Sequence, residues 1–200
     1  MKINEIFRSI QGEGVYAGYP VLFIRLSGCT RNCEYCDTKY HKRNFDMNYE
    51  TILKTIKNSN SKIVVWTGGE PLLQKDDIYN IIKSTSKIQH HVETNGDLLM
   101  SEDMNHERGF SYFNISPKCV KTAKKIKKLV KGCLFYSSIK IPTDLTTNKN
   151  LIPYATILMP LTTKSKKINS QIRNKVWNYC VKHNINYSSR LHLEDGIIDK

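Results

Sequence analysis

The chain has 200 residues and an apolar fraction of 40%, ordinary for a globular protein, so one domain spanning 1–200 with a real core is expected. Six cysteines are too sparse here for a secreted disulfide scaffold, no apolar run approaches the roughly 18 residues of a membrane span, and M-K-I-N-E-I-F-R-S-I lacks the apolar stretch of a secretory signal; the sequence reads as a soluble protein of the reducing cytoplasm. The net charge of +13 raises nucleic-acid binding, but lysine outnumbers arginine and asparagine and isoleucine abound, a bias that fits AT-rich coding better than selection for phosphate contacts.

In chain order, Ser9-Ile10-Gln11-Gly12-Glu13-Gly14 reads on its own as a glycine-flanked turn with exposed polar residues. Pro20–Ser27 (P-V-L-F-I-R-L-S) is a strand leading into C-T-R-N-C-E-Y-C, which carries Cys29, Cys33 and Cys36. Three thiolates this close can hold three irons of a cubane cluster and leave the fourth iron open to a small molecule, whereas electron-transfer clusters close every corner with cysteine. A zinc site completed by His41, Cys119 or Cys133 is the alternative, and inert buried thiols are a third reading. Asp37-Thr38 can turn the chain or place one hard oxygen on Mg²⁺.

Asn48 caps a helix through Asn58, with Ile52, Leu53 and Ile56 on one face. Lys62–Thr67 is a short buried strand ending in Gly68-Gly69-Glu70-Pro71; the glycines admit a ligand close to the backbone, and Glu70 offers a carboxylate to an ammonium group. Asp76 and Asp77 open a helix carrying Ile78, Ile81 and Ile82. Ile88–Thr94 is a strand with His90 and His91 on opposite faces, ending at Asn95-Gly96. Phe110–Ser116 is another strand. In the basic run Lys118–Lys131, Val120, Ala123, Ile126, Leu129 and Val130 recur at helical spacing, so the lysines form a solvated helix face; an anionic partner is the second reading. Phe135–Ile141 and Tyr154–Met159 are strands. Ser170–His183 is a helix with Ile172, Val176, Trp177, Cys180 and Val181 at helical spacing, and Ile185–Leu193 is a final strand.

This alternation predicts an α/β fold of parallel β/α units. About six strands are too few for a closed eight-fold barrel, so a partial, open parallel (β/α) barrel is expected. Gly28–Cys36, Thr67–Pro71, Glu93–Gly96 and Ser116–Lys118 all fall at strand C-termini, the rim where such folds build their sites.

C-x3-C-x2-C after the first long strand, followed by G-G-E-P, resembles the radical S-adenosylmethionine superfamily. The resemblance implies a 4Fe–4S cluster on Cys29, Cys33 and Cys36, with S-adenosylmethionine chelated at the open iron and its amino group held by the turn at Gly69 and Glu70. The order Q-G-E-G (Gln11–Gly14), Arg25, T-G-G-E-P, E-T-N-G (Glu93–Gly96) and S-P-K (Ser116–Lys118) is similar, from about residue 3 to residue 140, to the 7-carboxy-7-deazaguanine synthase family. That implies a ring contraction of 6-carboxy-5,6,7,8-tetrahydropterin with loss of ammonia, in queuosine or other deazapurine biosynthesis. It also implies Mg²⁺, an electron donor such as flavodoxin and a homodimer, with no membrane and no direct nucleic-acid contact.

Carried over by position, Ile10, Gln11, Gly12 and Glu13 would contact the pterin, whose amide edge matches the donors and acceptors of Gln11 and Glu13. Arg25 would pair with the substrate carboxylate through its fork, the plain alternative being a surface ion pair. Thr67 and Gly69 would border substrate and S-adenosylmethionine. Tyr35, Cys36 and Asp37 would lie along the adenosyl group, and Thr38 would ligate Mg²⁺. Ser116, Pro117 and Lys118 would contact S-adenosylmethionine, although Pro117 otherwise reads as a helix-start residue. The chain departs at Met159-Pro160, where the family usually has Gln-Pro reaching the cofactor. His192 in R-L-H-L would stand against the substrate, or be a satisfied structural residue, and Ile198 would make an end-of-chain contact. Cys119, Cys133 and Cys180 match no motif and read as structural. Two rivals remain: a glycyl-radical-enzyme activase, such as that of anaerobic ribonucleotide reductase, and a zinc-stabilised basic nucleic-acid-binding module.

Overall fold

The structure, a computed structural model, describes residues 1–33, 36, 45–104, 109–132 and 136–193. Within them lie strands β1 (Lys2–Ile10), β2 (Pro20–Leu26), β3 (Phe45–Asp46), β4 (Ile63–Gly68), β5 (Gln89–Thr94), β6 (Tyr112–Ile115), β7 (Ser137–Thr143), β8 (Ile157–Pro160) and β9 (Asn186–Tyr187). The helices are α1 (Tyr49–Asn58), α2 (Lys75–Lys83), α3 (Val120–Leu129) and α4 (Lys166–His183). One sheet runs β3-β1-β2-β4-β5-β6-β7-β8-β9. From β2 onward every described pairing is parallel, while β1 and β3 are antiparallel additions at the first edge.

The seven strands placed along the sequence are present as β2 and β4–β9, and beside the short β3 the addition is β1. Its register shifts between Ile3 and Glu5, so its apolar residues do not alternate cleanly, and Glu5 and Ser9 face the cavity described below rather than a dry core. Two other expectations need correction. The final strand shrinks from Ile185–Leu193 to Asn186–Tyr187, because Ser188 onward leaves the sheet to bind the loop after β1: Gly14 N–H donates to Ser188 Oγ at 2.7 Å and Leu191 N–H to the Gly12 carbonyl at 3.0 Å. Pro117 does not open the lysine-rich helix, which begins at Val120. Phe135, read from the sequence as the start of the strand that is β7 here, lies outside the described residues.

Local chemistry explains the helices. Asn48 Oδ1 accepts from Thr51 N–H at 2.9 Å and caps α1. Ser165 Oγ accepts from Ile168 N–H and starts α4 four residues earlier than its apolar pattern, at Lys166. In α3, Thr122, Ala123 and Ile126 are buried while Lys121, Lys124, Lys127 and Lys128 are exposed, so the basic run is a solvated face. Ile52 and Ile56 of α1, Ile78 and Ile81 of α2, Ile126 of α3 and Val176 of α4 pack on Ile24, Trp66, Val92 and Phe113 of the sheet. Each such fully buried side chain contributes roughly 1.5–3 kcal/mol of burial free energy. On the other face of the sheet, Val21, Ile63 and Val65 form a small cluster with Tyr16 and Phe23 below the cavity. Among the described residues no helix is long and apolar enough to cross a membrane.

Candidate active site

Parallel register brings the strand ends to one rim. Arg25 sits beside Thr67, Leu26 beside Gly68, Glu93 beside Asn114 and Pro142 beside Met159. Above them opens a cavity of about 730 Å³.

The cysteine loop forms one wall and is tied to two strand ends. A Cβ on Gly69 would lie 1.7 Å from the Gly28 carbonyl oxygen, so the β4 turn meets the loop backbone to backbone. Gly69 N–H donates to Leu26 O at 3.1 Å and Glu70 N–H to Gly28 O at 2.8 Å. Further along, Asn95 Nδ2 donates to Thr30 Oγ1 at 2.9 Å, and Arg31 forks onto Asp97 with Nε–Oδ2 at 2.5 Å and Nη2–Oδ1 at 2.7 Å. Those hydrogen bonds hold the Asp97 carboxyl below its ordinary range. Outside the cavity, Cys119 accepts from Arg31 Nη2 at 3.4 Å; hydrogen bonds from Thr122, then from Arg31, bring its thiol down to about 7.

Cys29, Cys33 and Cys36 all line the cavity and are half-buried. Burial pushes the Cys29 thiol up, a backbone hydrogen bond with Arg31 opposes it, and Glu70, Cys33 and Cys36 add to the upward shift. No fourth cysteine lines the cavity among the described residues. Three soft donors on one wall, with room beside them, fit a cubane cluster having one corner open to a ligand. Of the zinc alternatives, Cys119 does not line the cavity, and His41 and Cys133 lie outside the described residues.

Glu70 corrects an expectation. Its carboxylate is fully buried and does not line the cavity. It accepts from Thr94 Oγ1 at 2.6 Å, Asn95 N–H at 2.8 Å and Leu72 N–H at 3.1 Å, and so clamps the β4 turn to the end of β5. Burial raises its carboxyl pKa, with these three hydrogen bonds opposing. Of G-G-E-P, Gly68 and Gly69 line the cavity and the Glu70 side chain does not.

The opposite end of the cavity is a charged floor. Glu13 Oε2 accepts from Lys140 Nζ, Oε1 accepts from Arg190 Nε at 3.0 Å, and His192 Nε2 stands 3.8 Å from Oε1. Burial pushes the Glu13 carboxyl up, but Lys140 and Arg190 outweigh it and bring it down to about 2. Burial likewise works against the Lys140 ammonium, and the Glu13 and Glu93 carboxylates outweigh it, so its pKa is raised. Gln11 Nε2 donates to Glu93 Oε1 at 3.0 Å, and Gln11 Oε1 accepts from Glu13 N–H at 3.2 Å. His192 lies over Gly12, where any Cβ would meet its Nδ1 at 2.2 Å.

The remaining expected residues divide cleanly. Ile10, Gln11, Gly12, Glu13, Arg25, Thr67, Gly69, Ser116, Lys118, Met159 and His192 line the cavity; Pro117 does not. Arg25 Nε donates to Glu5 Oε1 at 2.7 Å, and its guanidinium lies over Phe7, which stacks on Phe23 at 5.1 Å. The ion-pair reading of Arg25 therefore holds alongside its place on the cavity wall. Tyr35, Asp37, Thr38 and Ile198 lie outside the described residues. Sequence reasoning missed Lys140, Arg190 and the anchoring pair Arg31–Asp97, and gave Glu93 no role. A lysine between two isoleucines in a buried strand was the available signal for Lys140.

The sequence profile of the radical SAM superfamily matches residues 23–145. The 7-carboxy-7-deazaguanine synthase of Thermoplasma acidophilum is 39% identical over 153 residues, covering 72% of this chain and 73% of that protein. The 7-carboxy-7-deazaguanine synthase of Buchnera aphidicola subsp. Schizaphis graminum is 31% identical over 95% of each chain. The crystal structure of QueE from Escherichia coli superimposes with a TM-score of 0.68 over 96% of this chain and 94% of that one; at 23% identity this shows a shared fold.

Proposed function

The chain belongs to the 7-carboxy-7-deazaguanine synthase family of the radical SAM superfamily, enzymes of queuosine biosynthesis, and from that premise we propose that its cavity converts 6-carboxy-5,6,7,8-tetrahydropterin to 7-carboxy-7-deazaguanine. The observation that carries the proposal is one cavity with three thiols on one wall and a paired-carboxylate floor at the other end. The family implies a 4Fe–4S cluster and S-adenosylmethionine, and Cys29, Cys33 and Cys36 would hold the cluster. When bound, that pair supplies a carbon-centred radical able to take a hydrogen atom from the substrate. 6-Carboxy-5,6,7,8-tetrahydropterin less ammonia has the composition of 7-carboxy-7-deazaguanine, so the overall conversion balances with ammonia as the only co-product.

This chain's own residues bind, orient and exclude water. Glu13 and Glu93, joined through Gln11, present acceptors to the N–H edge of the pterin. Arg25, beside Thr67, would take the substrate carboxylate on its fork. Gly69, Ser116, Lys118 and Met159 border the space for S-adenosylmethionine. The segment 188–193 covers the floor from outside, so charges there act in a poorly solvated space. The proposal extends to Mg²⁺ on Thr38, to adenosyl contacts from Tyr35 and Asp37, to an Ile198 contact, to a flavodoxin-like electron donor, and to a cytoplasmic homodimer of single-domain chains. Family resemblance alone supports these.

The test is anoxic reconstitution with iron, sulfide and S-adenosylmethionine, then turnover of the carboxy-tetrahydropterin with and without Mg²⁺, read by mass spectrometry. With a chemical reductant supplying the electron, product should form without any glycyl-radical partner, should depend on Mg²⁺, and should vanish in Cys33→Ala. Unchanged pterin, with S-adenosylmethionine cleaved only when a glycyl-radical partner is added, would support the activase reading instead.

A further inference from the structure

Among the described residues Lys140 is the one buried lysine, 4% exposed, and it lies on β7 between the core residues Ile139 and Ile141. An unpaired ammonium in such a place costs several kcal/mol, so it persists only where acids face it. Lys140 Nζ donates to Glu13 Oε2, and Glu93 on β5 adds a second negative charge nearby. Across the floor, Arg190 and His192 face Glu13 from the C-terminal segment, and Tyr112 faces Lys140 from β6. Two carboxylates thus stand against two permanent cations. Neither the cluster wall nor the cofactor border uses Lys140.

We propose that Lys140 is a positioning residue, which keeps the Glu13 carboxylate aimed as an acceptor for the N–H edge of the pterin. The inference rests on the reading that Glu13 touches the substrate. Without Lys140, the Glu13 carboxylate would keep only Arg190 and His192 as cationic neighbours. A proton would then settle on Glu13 more readily as pH falls, and an acceptor would become a donor pointed at a donor.

The experiment compares Lys140→Met, Lys140→Arg, Glu13→Gln and the double variant Glu13→Gln/Lys140→Met, each reconstituted anoxically. KM and kcat for the pterin are measured from pH 8 down to about pH 5.5, with calorimetric binding of S-adenosylmethionine as an independent readout. Lys140→Met should raise KM about tenfold or more while kcat falls less. Its KM should climb further as pH falls, where the wild-type KM stays level. Lys140→Arg should restore the level profile, and S-adenosylmethionine binding should match wild type in every variant. The double variant leaves no orphaned charge; its KM should equal that of Glu13→Gln alone, the non-additivity of two groups acting as one. A Lys140→Met enzyme with wild-type KM and a level pH profile overturns the inference, as does an additive loss in the double variant should the single variant not fold. If Glu13→Gln leaves KM unchanged, the contact between Glu13 and the pterin is what fails.

Discussion

His90 is held between Trp66 and Thr85, and the donors fix its tautomer. Trp66 Nε1–H can only donate, and it reaches His90 Nδ1 at 3.0 Å, so the ring proton sits on Nε2 and points at Thr85 Oγ1, 2.9 Å away. His91, on the opposite face, packs among Tyr16 and Tyr112, with centroids at 4.3 and 5.5 Å. Burial lowers both imidazoles from 6.5 to about 4, with His91 adding to the effect on His90. Their folded pKa values are depressed, so the unfolded chain binds protons that the folded chain refuses. Stability should be full above about pH 6.5 and should fall as pH drops toward 4, with a slope of up to about 2.7 kcal/mol per pH unit if both titrate together. Urea unfolding at several pH values checks this; a flat midpoint between pH 6.5 and 4.5 would contradict it. The placement of the two histidines on opposite faces was legible from strand alternation. Lys140 was not, because it is one of 31 basic residues and its partner Glu13 lies 127 positions away. No local pattern carries a contact of that span.

At the scale of elements, the turn after β4 and the cysteine loop behave as one unit. Their junction leaves no room for a Cβ at Gly69. Gly69→Ala should push the loop off the turn and break the Glu70 N–H to Gly28 hydrogen bond, costing about 1–3 kcal/mol of overpacking strain. The expected result is a folded protein, by circular dichroism, that takes up less iron on reconstitution. Wild-type iron content together with wild-type turnover would rule out this coupling. Most helices were legible because caps and apolar spacing are local: Asn48 and the α1 face agree with the structure. β1 was illegible because its inner face serves a polar cavity, so the alternation that marks a half-buried strand is blurred at Glu5 and Ser9. The end of β9 was misread because its continuation serves the Gly12–Gly14 loop rather than the sheet.

At the scale of the whole molecule, the sheet order places β1 and β9 far apart, yet the loop after one and the segment after the other meet over the floor. The cysteine wall and its anchors come from residues 28–33, 36, 69–70 and 94–97, all in the first half of the chain. A variant ending at Tyr187 should therefore fold and bind iron, but should show no calorimetric binding of the pterin. Retained pterin affinity in that variant would refute the role of Arg190 and His192 in the floor. The architecture was legible because repeated β/α units leave strong marks, and the short cysteine spacing marked three residues that share one cavity wall. The floor was legible only in part, since it is assembled from Gln11, Glu13, Glu93, Lys140 and Arg190, which only the finished topology gathers.

The join between Glu13 and Arg190 spans 177 positions, so it forms only after every strand from β1 to β9 has been synthesised. A ribosome releases the N-terminal part first. The sulfur-bearing pocket can thus be emerging, and even metallated, while the grip for the bicyclic guest is still being synthesised.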